Sequence, residues 1–174
     1  MPADPNMDED QQEFLVPREA LERLNDADLL REYVEDGKSF QEILGYSDET
    51  MEQFYNAAYS LMQKHRYKEA SDAFVFLTTL NPFVPEYWLG MGMCEQINQD
   101  YEQALVAYSM VVIGDRYQPL AHYHSAACHH ALGDNNAALR SLEKAITLAE
   151  GEPEFADTLE QAIRSKNLLS SRER

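Results

Sequence analysis

The segment His122-Tyr123-His124-Ser125-Ala126-Ala127-Cys128-His129-His130 gathers the side chains of this sequence best able to ligate a metal or carry a proton. His124 and Cys128 stand four apart, which puts an imidazole and a thiol on one face of a helix, where they could share a metal. A structural zinc site needs four such ligands, and the sequence has no second cluster to complete one. His129 or His130 could also serve as a pH sensor near the groove. No Gly-rich phosphate loop and no GxSxG elbow is present. The acidic pairs read as solvated helix faces. The sequence therefore offers no carrier for catalysis and no metal or cofactor site, and the chain is read as a non-enzyme.

The elements that hold this segment follow a period of 34 residues. His122 lies one period after Trp88, which lies one period after Phe54. Ala58, Gly92 and Ala126 keep the step, as do Ala70, Ala104 and Ala138, and Phe74, Tyr108 and Leu142. Tyr67, Tyr101 and Asn135 open the second helix of each unit. Large and small anchors at this period mark the tetratricopeptide repeat, a helix–turn–helix unit. The expected fold is all-α, a solenoid of three repeats at about 51–84, 85–118 and 119–152. Helices are expected near 51–64 and 67–80, 86–98 and 101–113, and 120–132 and 135–149. Ser47 is placed to cap the first, with Thr50 an alternative. Asn81-Pro82, Gly114-Asp115 and Gly133-Asp134 break the pattern.

Outside the repeats, residues 1–16 are acidic and read as disordered. Residues 17–46 form an N-terminal helical region that could cap the solenoid, swap into a second copy, or both. Residues 153–169 place Phe155, Leu159, Ile163 and Leu168 on one face and read as the capping helix a solenoid needs. Residues 170–174 are a polar tail.

The net charge of −17 argues against nucleic acid and against anionic lipid as partners. The acidity is concentrated in residues 1–50, with fifteen Asp and Glu against four Lys and Arg. Cys94 and Cys128 stand one period apart and read as small buried side chains in a reducing compartment, the cytosol. No apolar run approaches the ~20 residues of a membrane span, and MPADPNMDED lacks the apolar core of a secretory signal.

Stacked helix pairs curve, and their first helices line a concave face suited to holding a peptide. The inward stripe is Tyr55, Tyr59 and Met62 in the first repeat. In the second it is Glu86, Leu89 or Gly90, Met93 and Ile97; in the third, Leu120, Tyr123, Ala127 and His130. This stripe is aromatic and Met-rich with few charges. Tyr offers a rigid surface with a water-tolerant hydroxyl, and Met adapts to varied apolar partners. Tyr55, Tyr59, Gly90, Leu120 and His124 stand where a carboxylate clamp would need Lys, Arg or Asn, so a reader of acidic chain termini is disfavoured. A general scaffold joining folded cytosolic partners is the competing reading.

Two runs carry a resemblance. Asp48-Glu49-Thr50-Met51-Glu52-Gln53-Phe54-Tyr55 leads into the first repeat, and Tyr87-Trp88-Leu89-Gly90-Met91-Gly92 opens the second. Together with Arg66-Tyr67-Lys68-Glu69-Ala70, Leu80-Asn81-Pro82 and Asp100-Tyr101-Glu102-Gln103-Ala104, they resemble the class II chaperones of bacterial type III secretion, which serve hydrophobic translocator proteins. The resemblance implies a bacterial cytoplasmic chaperone that holds an extended translocator segment in its groove and is not inserted in a membrane. Carried over by position, Tyr55, Tyr59, Met62 and Tyr67 would shape the first pocket, and Leu89, Met93 and Tyr123 would continue the groove. It also implies a homodimer through the N-terminal region, where Leu21, Leu24, Leu29 and Leu30 are the apolar residues. The third repeat departs from the family pattern with Asn135 in place of an aromatic.

Overall fold

The computed structural model describes residues 25–172. Helices α1 (Ala27–Glu35) and α2 (Phe40–Leu44) precede three helix pairs. These are α3 (Asp48–Gln63) with α4 (Tyr67–Leu80), α5 (Pro85–Ile97) with α6 (Tyr101–Gly114), and α7 (Pro119–Ala131) with α8 (Asn135–Ala149). A 3-10 turn at Pro153–Phe155 leads into α9 (Ala156–Arg172). No strand occurs among the described residues. The last helix starts and ends three residues beyond the 153–169 expected, because Pro153 opens the tighter turn instead of the helix itself.

Local chemistry sets these boundaries. Ser47 caps α3 by accepting from the Thr50 N–H. Pro85 and Pro119 occupy first-turn positions of α5 and α7, where a missing N–H costs nothing. Asp100 and Asp134, one period apart, cap α6 and α8 by accepting from the N–H groups of Gln103 and Ala137. The turn inside each repeat takes one left-handed residue. It is His65 at φ 59°, Gln99 at φ 67° and Gly133 at φ 83°, again one period apart.

Small residues set the helix spacing. Ala58, Ala70, Ala104 and Ala138 are fully buried. A methyl group on Gly90 would sit 2.3 Å from the Phe74 ring, and one on Gly92 would sit 2.6 Å from Tyr108. Each ring therefore packs directly on the backbone of a helix in the next or the same repeat. Along the stack, α3 meets α5, α5 meets α7 and α7 meets α9, whereas α4, α6 and α8 stay farther from one another. The face built by α3, α5 and α7 is thus the concave one.

The N-terminal region is joined to the solenoid through α2. Ser39 and Glu42 form a capping box. Gln41 donates to Asp48 and accepts from Asn81, and Ile43 and Leu44 are buried. So α2 caps the first repeat. Leu29 and Leu30 on α1 are half-buried, while Leu21 and Leu24 lie outside the described residues.

Candidate peptide-binding groove

The repeat carries inner-face side chains into columns. Tyr55, Leu89 and Tyr123 form one column at steps of 34; Tyr59, Met93 and Ala127 form a second; Met62, Gln96 and His130 form a third. Tyr55, Met62, Leu89, Met93 and Tyr123 are half-buried, each with one side on the core and one on the groove. Tyr59 is 48% exposed. Its ring lies parallel to Tyr55, with centroids 6.4 Å apart.

The Tyr55 ring is fixed from two sides. Phe74 meets it edge-on at 6.0 Å, and Tyr87 lies 5.8 Å away. Burial, then Glu86, then Tyr59 raise the Tyr55 hydroxyl pKa, so it stays a neutral donor. Tyr87 is shifted upward as well, by burial first and then by Asp48, Glu86 and Tyr55. Tyr87 is 8% exposed, and the sequence reading names it in the run that opens the second repeat but not among the groove residues. Its position beside the Trp88 anchor is the signal that could have found it.

The structure narrows one position of the expected stripe and changes another. The alternatives Leu89 and Gly90 resolve to Leu89, because Gly90 is buried face-down on Phe74. At the end of α5 the periodic position belongs to Gln96, one step from Met62, while Ile97 is exposed beside it. Gln96 Oε1 accepts from the Tyr108 hydroxyl at 2.8 Å and from His124 Nδ1 at 3.0 Å. That bond assigns the His124 proton to Nδ1. Burial holds the His124 pKa down at about 4, and its ring stacks on Tyr108 at 5.6 Å. His124 is therefore neutral and packs inward on Tyr108, as Gly90 one period earlier packs on Phe74.

The sulfur that could have joined His124 at a metal is fully buried. Burial raises the Cys128 thiol to about 11, and burial with Glu95 raises Cys94 to about 12. Both are protonated thiols at neutral pH. His130 Nδ1 pairs with Asn135 Oδ1 at 2.8 Å. Among the described residues, no group of three or more His, Cys, Asp or Glu is gathered to hold a metal.

Tyr67 stands at the α3–α4 turn. Its hydroxyl is 2.6 Å from His65 Nδ1, and the two rings meet edge-on. The structure thus brings Tyr59 and Tyr87 to Tyr55 at one end of the groove, and sets Tyr123 edge-on to the inward-packed His124 at the other, with Leu89 and Met93 between. In its first two columns this face presents Tyr55, Tyr59, Leu89, Met93 and Tyr123, apolar surfaces with tyrosine hydroxyls at their edges. It can bury apolar side chains of an extended segment and satisfy stray backbone groups of that segment.

No family model matches the chain. It is 32% identical over 111 residues to the low calcium response locus protein H of Yersinia pseudotuberculosis, an alignment spanning 64% of this chain and 66% of that protein. The chain thus spans just under two thirds of that curated relative. Among solved structures it is similar to PcrH of Pseudomonas aeruginosa in complex with the chaperone-binding region of PopD. There the identity is 31%, the TM-score 0.73, and the match covers 75% of this chain and 98% of that one. It is also similar to the Yersinia enterocolitica type III secretion chaperone SycD in complex with a peptide of the translocator YopD, at 26% identity and TM-score 0.71, covering 74% of this chain and 98% of that one. SycD has also been solved as an alternative dimer.

Proposed function

The chain belongs to the family of type III secretion translocator chaperones, and from that premise we propose that its concave groove holds an extended segment of a hydrophobic translocator protein. The observation that carries this reading is the pair of columns Tyr55–Leu89–Tyr123 and Tyr59–Met93 on the inner face. Half-buried aromatic and thioether side chains at regular steps leave a run of shallow apolar sites, matched to alternate side chains of an extended peptide. Occupying them keeps the client's own apolar surface from aggregating. The net charge of −17 keeps the complex soluble and repels anionic lipid.

Tyr55, Tyr59, Met62 and Tyr67 are assigned to the first pocket, and Leu89, Met93 and Tyr123 to its continuation. No reacting group is needed for this work, and the chain acts by binding alone. No helix among the described residues is long and apolar enough to cross a membrane. The proposed place of action is the bacterial cytoplasm, where the chaperone meets its client before export. Residues 17–46 are assigned to a homodimer contact, with Leu29 and Leu30 on α1 as its described apolar residues.

The test is to purify the chain from its native cells and identify by mass spectrometry what accompanies it. A stoichiometric protein with long apolar membrane segments supports the reading. Recovery with soluble folded partners alone moves the assignment to a general scaffold.

A further inference from the structure

The groove does not end at Tyr123. Beyond that residue a pocket of ≈ 250 Å³ opens between α7, α8 and α9. Tyr123, Ala127 and His130 form its near wall, Leu142 its floor, and Leu168 and Leu169 its far wall. The geometry points to a terminal subsite for one large aliphatic or aromatic side chain of the same client segment, with α9 acting as part of the binding site as well as a cap. This inference rests on the groove reading.

Three observations carry it. The pocket is continuous with the groove, since Tyr123 belongs to both the first column and the pocket wall. The repeat also leaves this volume open. At the position where the first two repeats place Tyr59 and Met93, the third has Ala127, a methyl group. Finally, Leu168 is 61% exposed at the rim, an apolar side chain left for a partner to cover. The size also selects the occupant. The volume falls below the ~300–1,000 Å³ typical of small-molecule sites, and suits a single side chain.

The register gives a distance. First helices of successive repeats pack about 8–10 Å apart, so Tyr59 on α3 and the α7–α9 pocket are separated by roughly 20 Å. An extended segment covers that span in about six residues.

The test uses the full chain in complex with its client, carrying the photo-reactive residue p-benzoylphenylalanine at Leu168 or, as a groove control, at Tyr59. The expected result is that both positions crosslink to one client segment, the Leu168 product mapping beside a large apolar residue about six positions from the Tyr59 product. Crosslinking of the client at Tyr59 alone overturns the subsite and leaves the groove reading standing. Failure at both positions overturns the groove reading, and the subsite with it. A Leu168 product with a second copy of this chain, or with its own N-terminal residues, also overturns the subsite. A second measurement uses Ala127→Phe, a change to a size that the equivalent Tyr59 already has. It is expected to weaken binding of the crosslinked segment, made as a synthetic peptide, at least tenfold with an unchanged thermal midpoint. Unchanged affinity overturns the inference.

Discussion

Tyr59 lies parallel to Tyr55 at 6.4 Å, yet the two rings sit in different environments. Tyr55 is packed between Phe74 and Tyr87, whereas Tyr59 is 48% exposed. The pair therefore separates stability from binding. Tyr55→Ala removes a half-buried ring and its edge contacts, with an expected cost of about 1–2 kcal/mol. Tyr59→Ala is expected to stay within about 0.5 kcal/mol of the parent. Denaturant midpoints measure both.

Gly90 tests the packing of α5 on α4. A methyl group there would stand 2.3 Å from Phe74, a fully buried ring. Gly90→Ala gains up to about 1 kcal/mol of helix propensity, and overpacking costs about 1–3 kcal/mol. The net effect is destabilising. In the Phe74→Leu background the same substitution should cost less, and a double-mutant cycle reads the difference.

The inner turns give a third prediction. Gln99 adopts φ 67° where the next repeat has Gly133 at φ 83°. A left-handed L-residue costs about 1–2 kcal/mol, partly offset by the extra unfolded-state freedom of glycine. Gln99→Gly should raise stability by up to about 1 kcal/mol, and Gly133→Gln should lower it by a similar amount. Thermal melts of the two variants should shift in opposite directions.

Much of this fold was legible in the sequence because the repeat places equivalent residues at a fixed step. Phe74 and Tyr108, the rings that fill the core, were found by counting 34. The helix ends followed from Ser47, Pro82 and Pro119 for a different reason: caps and prolines act locally. What was missed depends on three-dimensional neighbours. Tyr87 joins Tyr55 across two repeats, and Gln96 reaches His124 across two more helices. The role of α9 in the terminal pocket needed the packed end of the solenoid, because α9 lies outside the period.

A fourth prediction concerns pH. The His124 pKa is held at about 4 by burial, below its unfolded value near 6.5. Burial and Lys144 lower that of His122 also. Between these limits the unfolded chain binds more protons than the folded one, so stability falls as pH drops from about 6.5 toward 4. His124→Phe keeps a ring against Tyr108 and removes that titration. It should flatten the pH dependence in this window, leaving the part that His122 contributes. An identical slope in the variant would remove His124 as its source.

The central claim is that the inner columns hold the client. The most direct measurement titrates the client segment, once mapped, into the parent chain and into Tyr59→Glu, with circular dichroism and thermal midpoint recorded for both. A carboxylate at this position is solvated in the free chain, since Tyr59 is 48% exposed, and would have to be desolvated by any apolar side chain laid over it. The account predicts at least a tenfold loss of affinity with an unchanged fold. Equal affinity in two equally folded proteins would contradict it.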